Sequence, residues 1–204
     1  MTRTVAAFDF DGTLTRRDAV VPFLASVAGW PAVARALAPE ARTLHGDRDA
    51  AKARVLMRIL AGRDQEEVQD AGSRFATTVR VTTEMRRRIE WHRREGHELA
   101  IVSASLDVYL LDVARDLGVG TVLCTTVETE SGVCTGRIVG ANCRGPEKAA
   151  RLLTVLGDDT ARLWAYGDSR GDDEMLALAD HPIRVRRGRL RDRSLRSATG
   201  SASR

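Results

Sequence analysis

The stretch that decides the fold is TVAAFDFDGTLT, residues 4–15, in which an apolar run ends in two carboxylates, Asp9 and Asp11, one residue apart and directly before Gly12. Five largely apolar residues stopped by an Asp-Gly-Thr turn read as a short buried strand. Ionised carboxylates are costly to bury unless a partner or a metal compensates them, so a strand ending in a pair of them points to a purpose.

Outward from this strand, residues 19–79 carry helical periodicity. DAAKARVLMRILAG, residues 49–62, is closed by Gly62, and DQEEVQDAGSRFATTV, residues 64–79, opens on Asp64 with Glu67 three positions on, the pattern of a capping box. TTEMRRRIEWHRREG, 82–96, predicts a polar helix, and HELAIVS, 97–103, a second buried strand running into Ser103. A helix over 105–118 follows. Residues 121–140, TVLCTTVETESGVCTGRIVG, predict a hairpin whose Glu-Ser-Gly tip separates two Val/Thr/Cys-rich runs. GPEKAARLLTVLG, 145–157, places proline at the first helical position and glycine at the end. ARLWAYGDS, 161–169, reads as a strand, GDDEMLALAD, 171–180, as a short helix, and PIRVR, 182–186, as a last strand.

Strand and helix alternating after residue 80 predict an α/β fold, a mostly parallel Rossmann-like sheet covered by helices. The helical stretch between the first two strands then forms an inserted all-helical cap. The expected division is a core of residues 1–15 and 81–187, a cap of 16–80, and a basic, disordered tail of 188–204. From Arg184 onward the chain holds eight arginines and one acid, Asp192, which leaves the remainder weakly acidic although the whole carries +4. That tail reads as a solvated terminus. An anionic membrane surface is the partner its arginines would suit.

Composition narrows the function. Cys124, Cys134 and Cys143 match no paired zinc spacing and read as reduced, partly buried thiols. Histidines 45, 92, 97 and 181 form no metal-ligand or triad pattern in the sequence, so carboxylates must carry any chemistry. Aromatic residues make up only 4%, too few for a base-stacking surface, and nucleic acid is not an expected partner. There is no secretory leader pattern and no apolar run of membrane-spanning length, which predicts a cytoplasmic protein.

In open parallel sheets ligands bind at the carboxyl ends of the strands. Three predicted strands end there in polar groups: Asp9 and Asp11 on the first, Ser103 on the second, and Asp168 with Asp172 and Asp173 after the strand at 161–167. Lys148, near the start of its helix, adds a cation. Carboxylates, a hydroxyl donor and an ammonium together are equipment for metal-assisted phosphoryl transfer.

In that order, DFDGT, Ser103, Lys148 and GDSRGDD resemble the four motifs of the haloacid dehalogenase superfamily of aspartate-nucleophile phosphatases. The helical insertion after the first motif is similar to the cap of subfamily I, in the phosphoserine-phosphatase-like branch. The resemblance implies that Asp9 attacks phosphorus to form an aspartyl phosphate and that Asp11 serves as acid and base. It implies a Mg²⁺ cofactor held by Asp9, Asp11 through its backbone carbonyl, and Asp168, with Asp172 holding a water ligand. Ser103, Gly12 and Thr13 would contact the phosphoryl oxygens, and Lys148 would offset charge on the phosphate and Asp9. Asp18 stands where phosphoserine phosphatases carry a glutamate, facing the substrate. The implied activity is a Mg²⁺-dependent phosphomonoester hydrolase acting on a small phosphorylated metabolite. A phosphatidylglycerophosphate-type lipid phosphatase and a phosphoserine phosphatase remain alternatives, as does a non-catalytic phosphate- or nucleic-acid-binding protein.

Overall fold

A computed structural model of the chain describes residues 3–40, 47–157 and 160–191. His45 and the tail from residue 192 lie outside the described residues.

The first strand, β1 (Thr4–Phe8), occupies the middle of a six-stranded sheet with β2 (Glu98–Leu106), β3 (Thr121–Thr125), β6 (Arg162–Gly167), β7 (His181–Arg186) and β8 (Arg189–Leu190), in the order β3-β2-β1-β6-β7-β8. All neighbours are parallel except β7 and β8. The order reverses at β1, where the chain leaves on one side for β2 and returns on the other for β6, and this is where such sheets hold ligands. Alternation along β1 explains the two cores. Ala6 and Phe8 join a large apolar cluster with Ile101, Tyr166, Met85 and Ile89, while Val5 and Ala7 pack on the opposite face with Val102, Leu152, Leu163 and Met175.

Helices cover both faces. α5 (Thr83–Arg94) and α6 (Asp107–Asp116) pack on the first, α7 (Pro146–Leu156) and α8 (Asp173–Ala177) on the second. α7 starts with Pro146 and stops at Gly157 (φ 66°), the ends expected from its sequence.

Between β1 and α5 the described residues hold four α-helices: α1 (Val20–Ala28), α2 (Trp30–Leu37), α3 (Arg48–Leu60) and α4 (Gln65–Ala76). Asp47 caps α3 by accepting from the Asp49 and Ala50 N–H groups, and Asp64 caps α4 through Glu66 and Glu67. A ring cluster of Phe23, Phe75 and Tyr109 joins α1 and α4 to α6 of the core. Here α4 crosses so close that a Cβ on Gly72 would lie 1.9 Å from the Val108 carbonyl oxygen, leaving room for glycine alone.

Three expectations need correction. The run 121–130 is two strands: β3 joins the parallel sheet, and only β4 (Val127–Glu130) and β5 (Val133–Ile138) form the hairpin, turning at Ser131–Gly132. Its first half is claimed by β2, which it pairs in parallel as the edge strand, with Cys124 and Thr125 buried. The hairpin docks on the helical insertion, with the Gly62 N–H donating to the Cys134 carbonyl at 2.9 Å and the Gln65 N–H to Gly132 at 2.8 Å. β2 continues three residues past Ser103, with a register shift between Val102 and Leu106. The sheet also reaches into the expected tail, because Arg189–Leu190 pairs with Val185 and Arg186. His92 and His97, which form no metal-ligand pattern in the sequence, meet in space with their Nδ1 atoms 2.7 Å apart. Cys124, Cys134 and Cys143 are all buried and unpaired.

Candidate active site

The site begins where β1 stops. The Asp9 N–H donates to the Tyr166 carbonyl at 2.9 Å, the last ladder bond to β6. A wide turn follows, closed by the Thr15 N–H on the Phe10 carbonyl at 3.0 Å, with Asp11 extended and Gly12 at φ 82°. Glycine is required twice over at this point. Its positive φ disfavours other residues, and a Cβ would fall 2.1 Å from Asp168 Oδ2. The turn is therefore shaped to let the Asp168 carboxylate approach it.

Beneath it lies a buried charge array. Lys148 Nζ donates to Asp9 Oδ1 at 2.5 Å and to Asp172 Oδ1 at 2.6 Å, with all three residues 5% exposed or less. The second oxygen of Asp172 accepts from the Asp168 N–H, the Ser169 N–H and the Ser169 hydroxyl. Asp172 thus fixes both the ammonium and the loop that carries Asp168. Burial pushes the Lys148 ammonium down, but Asp9 and Asp172 together outweigh it and hold it above its ordinary value. Burial raises the Asp9 carboxyl against the pull of Lys148, and burial with the charges of Asp9 and Asp172 raises Asp168 to about 6.

One carboxylate oxygen each from Asp9, Asp168 and Asp172 lies within 4.8 Å of the others. Hard oxygen donors of this kind, in a cluster that carries more negative charge than Lys148 neutralises, fit a divalent cation such as Mg²⁺.

Asp11 faces the other way, toward the helical insertion. Its Oδ1 accepts from the Ala19 N–H at 2.8 Å, and its Oδ2 from the Ser105 hydroxyl at 2.6 Å, itself hydrogen-bonded by the Tyr109 hydroxyl. Burial first, then the nearby Asp18, pushes its carboxyl up to about 8. Two carboxyl groups two residues apart thus have different partners: Asp9 an ammonium, Asp11 a backbone N–H and a hydroxyl. Ser103 is buried, and its Oγ accepts from the Ser105 N–H at 3.0 Å. Thr13 Oγ1 is buried with no hydrogen-bond partner among the described residues. Asp18 caps the start of α1 through the Val21 N–H at 3.2 Å.

A cavity of about 540 Å³ brings these groups together. Asp9, Asp11, Gly12, Asp18, Ser103, Lys148, Asp168 and Asp172 all line it, whereas Thr13 stands behind the turn. Its roof, from the insertion, sets aliphatic Val20, Val21, Leu24, Val55 and Leu56 beside charged Arg48, Asp49 and Lys52. Several lining residues escaped the sequence reading. Lys52 donates to the Ala104 carbonyl and to Asn142 Oδ1, and Asn142 Nδ2 donates to Asp49, so α3 is tied to the strand ends. Being one of two lysines among thirty arginines was its only signal. Arg144 and Arg187 gave none.

A profile of haloacid dehalogenase-like hydrolases matches residues 6–177. The chain belongs to this family. This hydrolase is also 34% identical over 194 residues to Protein CicA of Caulobacter vibrioides, covering 91% of the chain and 87% of its relative. A protein of unknown function from Bordetella pertussis Tohama I has the same fold, with a TM-score of 0.78 at 24% identity, over 98% of this chain and 96% of that one. So does a phosphoserine phosphatase solved as an analogue of its phospho-aspartyl intermediate, with a TM-score of 0.68 at 19% identity, over 88% and 84%.

Proposed function

We propose that this hydrolase is a Mg²⁺-dependent phosphomonoesterase acting through an aspartyl phosphate on a small phosphorylated metabolite. The observation that carries the reading is the division of labour between Asp9 and Asp11 at the floor of one cavity. Lys148 engages Asp9 Oδ1, and the other carboxylate oxygen would attack phosphorus. As the P–O bond to the alcohol breaks, Asp11, whose carboxyl burial and Asp18 push up toward the proton-holding form, would give a proton to the departing oxygen. The resulting carboxylate then takes a proton from the water that hydrolyses the acyl phosphate, and Asp9 is regenerated. Ser103, Lys148 and the N–H groups of the Gly12 turn would bind the phosphoryl oxygens.

Asp9, Asp168 and the Asp11 backbone carbonyl would hold the Mg²⁺, with Asp172 orienting Asp168. When bound, the cation offsets the charge of the phosphate and of its carboxylate ligands. Asp18 and the roof from residues 16–80 would face the alcohol portion and select it. Among the described residues no helix is long and apolar enough to cross a membrane. The aliphatic part of the roof favours a second substrate reading, a lipid phosphate, which a vesicle-borne phosphomonoester would test beside the soluble ones.

The experiment is a panel of phosphomonoesters with Mg²⁺, scored by released phosphate. EDTA is expected to abolish turnover, and Asp9→Asn to lower it by at least about a thousandfold. An Asp9→Asn enzyme of undiminished activity overturns the assignment of the nucleophile.

A further inference from the structure

Two turns in this chain share one backbone shape and differ in one side chain. Ser131–Gly132 joins β4 to β5, and Arg187–Gly188 joins β7 to β8. Both central residues have positive φ in each, 50° and 80° in the first, 49° and 69° in the second. Two-residue hairpins of this hand favour Asn, Asp or Gly at the first position, where a short polar side chain bonds locally. An arginine gains no such bond and holds its left-handed backbone at a cost of about 1 kcal/mol. Strain of this kind is a pointer to function when the side chain has a destination.

Arg187 has one, because it lines the reaction cavity. The turn is also fastened to the catalytic loop. The Gly188 N–H donates to the Gly12 carbonyl at 2.9 Å, and the Thr82 hydroxyl donates to the Gly188 carbonyl at 2.7 Å. A Cβ on Gly188 would fall 2.3 Å from Thr82 Cγ2, so the glycine must stand where it does and the arginine is fixed at the rim.

Several acids on the cavity wall already have partners of their own. Glu40 on the cavity wall is held by Arg54 and Arg58, Asp49 accepts from Asn142, and Asp18 caps α1. Arg187, like Arg16, Arg17 and Arg144 on the same cavity, makes no ion pair among the described residues. Guanidinium groups match carboxylate and phosphate oxygens in a planar fork. The transferred phosphoryl group is already served at the floor by Lys148.

We propose that Arg187 is a specificity-determining residue that takes a second anionic group, carboxylate or phosphate, on the leaving alcohol of the substrate. The inference rests on the phosphatase reading. Its test uses three compounds of one carbon skeleton, glycerol phosphate, phosphoglycerate and glycerol bisphosphate, with Mg²⁺ and p-nitrophenyl phosphate as a general reporter. The wild type is expected to prefer one of the two charged alcohols, and which one identifies the anion. Arg187→Asn should lower that preference about tenfold through KM, the loss of one charge-assisted hydrogen bond, and Arg187→Lys should restore part of it. Asparagine suits this turn, so the Asn variant should melt no lower than the wild type, which separates lost recognition from lost folding. A wild type that turns over glycerol phosphate as well as the charged alcohols, or an Arg187→Asn enzyme that keeps the preference, overturns the assignment alone. A wild type inactive on all four compounds overturns the phosphatase reading, and this inference with it.

Discussion

The floor and the roof of the cavity hold their charges in different ways. At the floor the ammonium of Lys148 sits between two buried carboxylates, each within 2.6 Å. At the roof the ammonium of Lys52 meets only neutral oxygens, those of Ala104 and Asn142, and burial pushes it down to about 8 against the attraction of Asp11, Asp18 and Asp49. The floor is a set of mutually dependent charges mounted on strands. The roof is helical, and at Lys52 it meets the strand ends through hydrogen bonds to neutral groups alone. A phosphatase needs both, a fixed place for the reacting atoms and a movable wall to admit the substrate.

The sharpest way to break this comparison is to remove the floor's cation. Lys148→Met leaves Asp9 and Asp172 buried against each other without a counter-charge. Removing one partner of a buried pair costs about 3–5 kcal/mol. Urea unfolding in EDTA is expected to show a loss of that size, together with lost turnover in Mg²⁺. A loss below about 1 kcal/mol would mean that the floor does not depend on its ion pairs.

A second effect comes from under the floor. Tyr166, whose carbonyl receives the Asp9 N–H, has its hydroxyl between Arg88 and His92. The hydroxyl accepts from Arg88 Nε and is hydrogen-bonded to His92 Nε2, whose ring meets His97 through the two Nδ1 atoms. Burial, then Arg88 and His97, pushes His92 down to about 2, and Trp91, Trp164 and Phe8 complete its surroundings. The folded state thus binds fewer protons than the unfolded one below the ordinary histidine value of about 6.5. The stabilisation is complete above that pH and falls as pH drops through it, by about 1.4 kcal/mol per unit. Relative to His92→Gln, the wild type should lose stability with this slope between about pH 6 and 4. Parallel profiles for the two proteins would show that His92 accepts its proton freely in the fold.

How much of this the sequence disclosed follows the same division. Asp9, Lys148, Asp168 and Asp172 were legible because each sits beside a local signal: an apolar run cut by Asp-Gly, a proline-started helix, an acidic turn after a strand. The parallel sheet was legible from the alternation that carries those signals. The roof was not, since Lys52, Asp49 and Asn142 meet across about ninety residues of chain and an amphipathic helix does not announce what its polar edge will touch. The break at Thr126 was hidden for a related reason. β3 and β4 have similar composition, and only the neighbour each one finds tells them apart. His92 and His97, five apart across a helix end, form a pair only because the chain reverses at Gly96.

The smallest effect is the one that tests the roof. Lys52→Met removes two hydrogen bonds from an ammonium whose burial already offsets much of their value, so the expected loss is about 1 kcal/mol, well below that of Lys148→Met. The methionine fills the same space beside Val55 and Leu56, and the fold should persist. What changes is the attachment of α3 to the strand ends. Amide hydrogen exchange in residues 48–60 should accelerate while exchange in β1 stays put, because the link from Ala104 and Asn142 to the helix is gone but the ladder around Asp9 is untouched. Should β1 and α3 accelerate together, roof and floor would form one cooperative unit, and the picture of a movable wall over a fixed base would fail.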